Sequence, residues 1–371
     1  MEFKIYHRIK NIPPNELNFI SNDKFPISYD FLSLIEKYHY SSITPFYILV
    51  KQNNKLKYFF YSQVFELNQS HKAFTNFINS TENSKFLNIF KSNLKKISIK
   101  SCFFGNLLFT NFDSFKYEKN EKFNDSHFIK ILNYIKVNYK IKLIFIPDYY
   151  SKIINVKSKY YSTFSISPNM YIDIGYKIKD FNNYLDLIKA KYKKNWLYIK
   201  NNSLINSRFL NKDEVMSYSK DISNLYNNVY KKNSYSIKVE IKFILELYFK
   251  NKIHIRGYFY KNQLVGFSSF FIFSNSLYVY YIGIDYDLNK NYNIYTKILL
   301  DNIEFGIKNN VKKIELGRTA EEFKSNFGAI PNSNVGHIYV KNKIIIFSLK
   351  LLSSLLKPKK WIKRDPFKIK K

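Results

Sequence analysis

The sequence predicts an α/β fold with a mixed sheet, built as two tandem domains of one element order, the second better defined. Three observations carry this. Stretches of helical period alternate with runs of β-branched and aromatic residues along most of the 371 residues. "YIKVNYKIKLIFIP" (Tyr134–Pro147) and "GIKNNVKKIELGR" (Gly306–Arg318) spell the same passage: helix end, Asn-containing turn, basic pair, apolar strand. The hairpin joint "KQNNK" (Lys51–Lys55) is matched by "YKNQL" (Tyr260–Leu264). Together they read as a diverged duplication. Its domains are 1–165 and 166–343, followed by a tail over 344–371.

In the first half, "FLSLIEKYHY" (Phe31–Tyr40) predicts a helix and Pro45–Leu67 a hairpin. A strand over Cys102–Asn111, a helix over His127–Lys140 and a strand over Ile141–Pro147 follow, with a connector near 155–180. In the second half, Phe181, Leu185, Ile188, Tyr192 and Trp196 recur at three- and four-residue spacing, which predicts one amphipathic helix over Phe181–Lys200. Helices over Asp213–Tyr230 and Val239–Lys250 come next. Three strands (Ile253–Asn262, Leu264–Asn275, Ser276–Asp285) are joined by short turns, and Asn293–Asn310 is helical again. "VKKIELG" predicts a strand, "TAEEFKSNFG" a short helix and "HIYVKNKIIIF" a last strand. The tail joins an apolar helix, "IIIFSLKLLSSLL", to a basic Trp-containing end, "KPKKWIKRDPFKIKK". It either packs on the body or rests peripherally on an anionic membrane face.

Composition narrows the function classes. A hydrophobic share of 46% supports a folded core rather than disorder. The net charge of +32 is spread along the chain, and Lys, Asn, Ile, Phe and Tyr are inflated together, so it is weak evidence of a polyanionic partner. The single Cys102 excludes an intramolecular disulfide framework and a cysteine metal cluster, and fits a reducing, cytoplasmic setting. Six scattered histidines without a His-x-x-x-His pair argue against a zinc site. The opening "MEFKIYHRIKNIPP" has no apolar h-region, which argues against a signal peptide.

Chemistry concentrates in "YYIGIDYDLNKNYNIYTK" (Tyr280–Lys297) and "IELGRTAEEFKSNFGAIPN" (Ile314–Asn332). Asp285 and Tyr286 end the central strand: either a proton acceptor and donor for acyl transfer, or a plain strand-end turn. Thr319-Ala320-Glu321-Glu322 reads as a capping box. Arg318 stands where open α/β sheets place ligands and suits a carboxylate or phosphate, or else pairs with a nearby Glu. Lys324 orients an acyl carbonyl or phosphate, or is simply solvated. Asn289 and Asn293 offer side-chain contacts to an anion, as Lys194 does on its helix unless that face is only solvated. Gly328 ends the short helix, with Pro331 behind it.

These segments resemble the GNAT acyltransferase superfamily, in the branch related to the Fem peptidoglycan aminoacyl transferases. The residues that carry the likeness are Gly283, Tyr286, Tyr292, Asn293, Tyr295, Gly317, Arg318, Thr319, Glu322, Lys324 and Gly328, over about residues 180–340. "LIKAKYKKNWLYIKN" resembles the basic helix that precedes the domain in that branch. The resemblance implies two GNAT-like domains, the first degenerate. It also implies N-acyl or aminoacyl transfer by direct attack of an amine, without metal or tightly bound cofactor. Acyl-CoA or aminoacyl-tRNA is then the donor, and a small molecule or a cell-wall or lipid precursor the acceptor. One departure stands out: the segment after the central strand has no glycine, whereas acetyl-CoA-binding GNAT domains cradle the pyrophosphate there with a Gly-rich loop. The competing reading is a non-catalytic GNAT-like protein that binds RNA or an anionic membrane surface.

Overall fold

The computed structural model describes residues 1–20, 27–68, 98–118, 123–156, 159–175, 178–201, 204–232, 238–339 and 361–368. The chain forms two compact units. The first holds Met1–Ile166, Ser234–Glu240 and Asn334–Pro358, and the second Ser167–Asn233, Ile241–Ser333 and Lys359–Lys371.

The first unit contains β1 (Glu2–Tyr6), α1 (Pro14–Ile20), α2 (Tyr29–His39), β2 (Thr44–Gln52), β3 (Lys55–Leu67), β4 (Ile99–Phe103), β5 (Phe115–Tyr117), α3 (Asp125–Asn138), β6 (Leu143–Pro147) and the start of β7 (Tyr161–Asp173). The second contains the rest of β7, α4 (Phe181–Asp186), α5 (Ala190–Asn201), β8 (Asn206–Phe209), α6 (Lys212–Ser217), α7 (Ser219–Lys232), α8 (Ile241–Phe249), β9 (His254–Tyr260), β10 (Gln263–Phe273), β11 (Ser276–Ile284), α9 (Tyr286–Tyr292), α10 (Ile294–Lys308), β12 (Lys313–Gly317), α11 (Glu321–Ser325) and the start of β13 (Ile330–Tyr339).

Strands run β1-β2-β3-β4-β6-β13 in the first unit, with β5 on β3, and β7-β12-β11-β10-β9-β8 in the second. Among the described residues each unit has one parallel pair, β4 with β6 and β11 with β12. The tight hairpins follow from residues that tolerate positive φ at both turn positions: Asn53-Asn54, Lys261-Asn262 and Ser274-Asn275. The matched joints of the sequence are therefore matched turns. In the first unit, α3 buries Phe128, Ile131, Leu132 and Ile135 against Ile144, Ile146 and Cys102. In the second, α10 sinks Ile294, Ile298, Ile303 and Ile307, the positions its period marked, into two adjoining apolar clusters.

Some elements differ from the sequence expectation. The strand expected over Cys102–Asn111 ends at Phe103, because Gly105 and Asn106 begin a tight turn. The helix expected over Asp213–Tyr230 is split at Tyr218. The helix expected over Phe181–Lys200 is broken at Leu187–Lys189, where the tail takes over its backbone bonds: Lys189 N–H donates to Pro366 O and Lys368 N–H to Leu187 O, each at 2.8 Å. Residues 361–368 pack on the second unit, and the apolar stretch Ile344–Leu356 lies outside the described residues. No helix among the described residues is long and apolar enough to cross a membrane.

Candidate active site

β11 is the centre of the second unit, and its two edges are treated differently. Along β10 the pairing continues to Gly266↔Ile284, with a register shift opposite Ser269. The Ser269 hydroxyl repairs that bulge: it accepts from Tyr281 N–H and donates to Tyr281 O, both at 2.9 Å. Along β12 the pairing is short, Ser276↔Lys313, Leu277↔Ile314 and Tyr278↔Glu315, and then stops although both strands run on. Amides alternate between the edges of an extended strand. Tyr281 and Asp285 send theirs toward β10, so those of Ile282 and Ile284 face the β12 side, beyond the last described pair. Gly283 lets α7 press onto this strand, since a Cβ there would stand 2.7 Å from the backbone carbon of Leu225.

The residues after β11 are largely tied to one another. Asp285 caps α9, its Oδ1 accepting from Asp287 and Leu288 N–H at 2.9 and 3.0 Å. Tyr286 is half-buried under the Lys232 ammonium, 3.5 Å from the ring centroid, and burial raises its hydroxyl above the usual tyrosine value. Asn289 Oδ1 accepts from Tyr295 N–H at 2.8 Å, so it serves the start of α10. Asn293, left-handed at φ 52°, is the joint between the two helices and is exposed. Tyr295 stacks on Phe323 of α11 with ring centroids 5.1 Å apart. Lys194 lies exposed on α5.

The end of β12 corrects the sequence reading. Gly317, Thr319 and Ala320 all have positive φ, which for a β-branched Thr is a strained conformation. No side chain caps α11, so the capping box is absent. Glu322 instead accepts from Arg364, at 2.5 Å from Nη2 and 3.1 Å from Nε. Lys324 is 3% exposed rather than solvated. Its ammonium donates to the carbonyls of Gly317 at 3.1 Å and Arg318 at 2.7 Å, and burial pulls its pKa down to about 7. Arg318 is half-buried, and burial lowers its pKa. Its Nε is buried without a hydrogen-bond partner, and no carboxylate pairs with it among the described residues. Gly328 is left-handed, as a helix-ending glycine requires.

The chain thus brings Arg318, Lys324 and Tyr295 around α11 and its leading loop, and Asp285, Tyr286 and Asn289 around α9. Sequence reasoning missed Ser269, whose role depends on a bulge, and Arg364 and Phe367, which lie far along the chain from α11. A cavity of about 260 Å3 lies elsewhere in the second unit, with Phe209, Tyr248, Asn251 and His254 in its wall and none of the expected site residues. No group of three metal-ligating side chains is present among the described residues.

No family model matches the sequence, and no curated protein matches it. Solved structures do. The chain is similar to the crystal structure of FemX over 94% of its length and 100% of that chain, with a TM-score of 0.51 and 8% identity. It is similar to a conserved protein of unknown function from Bacteroides thetaiotaomicron over 92% of its length and 100% of that chain, with a TM-score of 0.50 and 8% identity. At such identity the likeness is one of fold, and it bears out the Fem-like mixed α/β architecture that the motifs suggest.

Proposed function

We propose that the second unit is an acyltransferase that moves an acyl or aminoacyl group from an activated donor onto an amine. The observation that carries this reading is the broken β11–β12 ladder, which ends beside a half-buried Arg318 without a carboxylate partner among the described residues. In the proposed reaction the acceptor nitrogen attacks the donor's carbonyl carbon. A C–N bond forms, and the bond to the thiol or hydroxyl leaving group breaks. The amides of Ile282 and Ile284 meet the charge that develops on the carbonyl oxygen, as prearranged donors do. Asp285 takes the amine's proton on Oδ2, the oxygen its cap bonds do not use. Tyr286, kept protonated by burial, returns a proton to the leaving group.

Arg318 holds a phosphate or carboxylate of the donor or acceptor. Lys324, with two of its three donors spent on the loop, keeps one for the same group. Asn289, Asn293 and Tyr295 line the approach, and Lys194 meets a longer polyanion. The donor is acyl-CoA or aminoacyl-tRNA, free to leave rather than tightly bound. The acceptor is a small molecule or a cell-wall or lipid precursor.

The test is to incubate the purified protein with acyl-CoAs and with charged tRNA, reading thermal shift and amide product by mass spectrometry. A shift with one donor class, and product with an amine present, is expected. No shift with either, together with salt-sensitive binding to random RNA or to anionic vesicles, overturns the enzyme in favour of a non-catalytic binding protein.

A further inference from the structure

We propose that Trp361–Lys368 is a positioning strap for the acyl-transfer site, holding α11 and through it the Gly317–Ala320 loop with Arg318 and Lys324; this rests on the function proposed above. Three sets of contacts, all within the second unit, support it. At one end the strap replaces helix. Lys189 N–H donates to Pro366 O, Lys368 N–H to Leu187 O, and Ile188 pairs with Phe367 as an antiparallel bridge. Apolar spacing alone predicts unbroken helix there, so the chain has exchanged local bonds for bonds to the strap. The ammonium groups of Lys189 and Lys368 reinforce the exchange, donating to Asp365 O and Asp186 O at 2.8 Å.

At the other end the strap grips α11. Arg364 N–H donates to Ser325 Oγ at 2.9 Å, while its guanidinium donates to Glu322. Glu322 and Ser325 are three apart and share one helix face. Between the two ends Phe367 packs against Gly328, where a Cβ would meet its ring at 2.3 Å, and edge-on to Tyr184. Tyr184 in turn donates to Phe327 O at 2.7 Å.

The device is needed because α11 cannot place itself. It spans Glu321–Ser325 and has no side-chain cap, and so short a helix has no stability of its own. It also follows residues held at positive φ. Lys324, off the strap-facing side, is the link that carries the strap's hold back to the carbonyls of Gly317 and Arg318.

The experiment uses the full chain and residue-resolved hydrogen exchange, with Arg364→Ala, the milder Phe367→Leu, and the charge swap Glu322→Arg/Arg364→Glu. Exchange in 317–329 is expected to quicken about tenfold in the first two, with β9 and β10 unchanged, and to return toward the parent rate in the swap. With a donor in hand, the donor KM rises in Arg364→Ala, because Arg318 and Lys324 are the groups the strap positions, and the swap restores it. Unchanged exchange in 317–329, an increase spread evenly over the second unit, or no rescue by the swap overturns the strap. Exchange reports whether or not turnover exists, so a strap confirmed without any acyl transfer would sink the enzyme and leave the strap standing.

Discussion

The β4–β6 junction of the first unit and the β11–β12 junction of the second begin alike, each with three parallel residue pairs. They end differently. After Phe103 the first junction keeps bonding: Phe104 N–H donates to Phe145 O at 2.8 Å, Leu107 N–H to Gln63 Oε1 at 2.8 Å, and Leu108 N–H to Asn106 Oδ1 at 3.0 Å. Fully buried Phe104 and Tyr150 fill the space beside it. After Tyr278 the second junction stops pairing and is flanked by a strained loop and by Arg318, whose Nε is buried without a hydrogen-bond partner among the described residues. Glu36 in the first unit accepts from Ile9 N–H and the Tyr47 hydroxyl and lies 3.5 Å from Arg8, whereas Arg318 Nε in the second has no partner among the described residues. A closed junction serves stability; under the proposed function the open one keeps groups in reserve for a ligand.

The largest way to sharpen this contrast is pH. Burial lowers His39 of the first unit from 6.5 to about 4, and Lys324 of the second from 10.5 to about 7. In both, the unfolded chain takes up a proton that the fold refuses, so stability falls as pH falls between the two values. The windows differ: about 10.5 to 7 for the second unit and 6.5 to about 4 for the first. By the usual conversion the loss across its window is on the order of 3 kcal/mol for His39 and 5 kcal/mol for Lys324. Residue-resolved hydrogen exchange across pH reads them separately. Lys324→Met is expected to flatten only the upper slope and His39→Leu only the lower; one shared window would erase the distinction.

Next in size is a pair of glycines. At Gly283 an added Cβ meets the backbone of Leu225 at 2.7 Å, so α7 itself must move. At Gly105 the nearest atoms belong to the Phe103 ring and the Tyr149 hydroxyl, which can swing aside. Gly283→Ala is expected to cost about 2 kcal/mol and Gly105→Ala about half of that. Denaturant melts of the two variants decide it, and equal losses would mean that α7 is not the constraint.

How far the sequence foresaw this depends on whether the cause was local. Turn chemistry at Asn53-Asn54 and Lys261-Asn262, and the period of α10, are local, and the fold follows them. Thr319 and Glu322 have the right spacing for a capping box, but the backbone at Thr319 and Ala320 is left-handed and Glu322 is claimed by Arg364, forty-two residues on. Lys324 looked solvated because its burial is set by the loop it clamps. The break at Leu187–Lys189 came from the strap. The Arg364 hold on Glu322 and the strap at Leu187–Lys189 are non-local partners overriding a local preference, whereas the strand that ends at Phe103 stops for the local reason that Gly105 and Asn106 turn.

Arg318 supplies a smaller test of the open junction. Arg318 is half-buried and its Nε has no hydrogen-bond partner among the described residues, which leaves a desolvation cost unrepaid, so Arg318→Met is expected to raise stability by about 1 kcal/mol while abolishing any donor-induced thermal shift. The same change at Arg8, which lies against Glu36, is expected to lower stability. Thermal melts with and without donor read both. A loss of stability in Arg318→Met would show that the guanidinium is structurally paired, and the contrast would fail there.

The smallest expected effect concerns Thr319. At φ 65° its branched Cβ is crowded by its own backbone, and a residue without Cβ escapes that crowding. Glycine also has more freedom to lose on folding, which offsets part of the relief. The balance predicts that Thr319→Gly stabilises the second unit by about 0.5 kcal/mol, within reach of paired denaturant melts. The first unit offers a control of opposite sign in the helix α3, where glycine at exposed Val137 relieves no strain and costs roughly 0.3–0.5 kcal/mol. If Thr319→Gly is as costly as Val137→Gly, the loop before α11 holds no strain. Arg318 would then sit on an ordinary turn, and its position would need no clamp from Lys324.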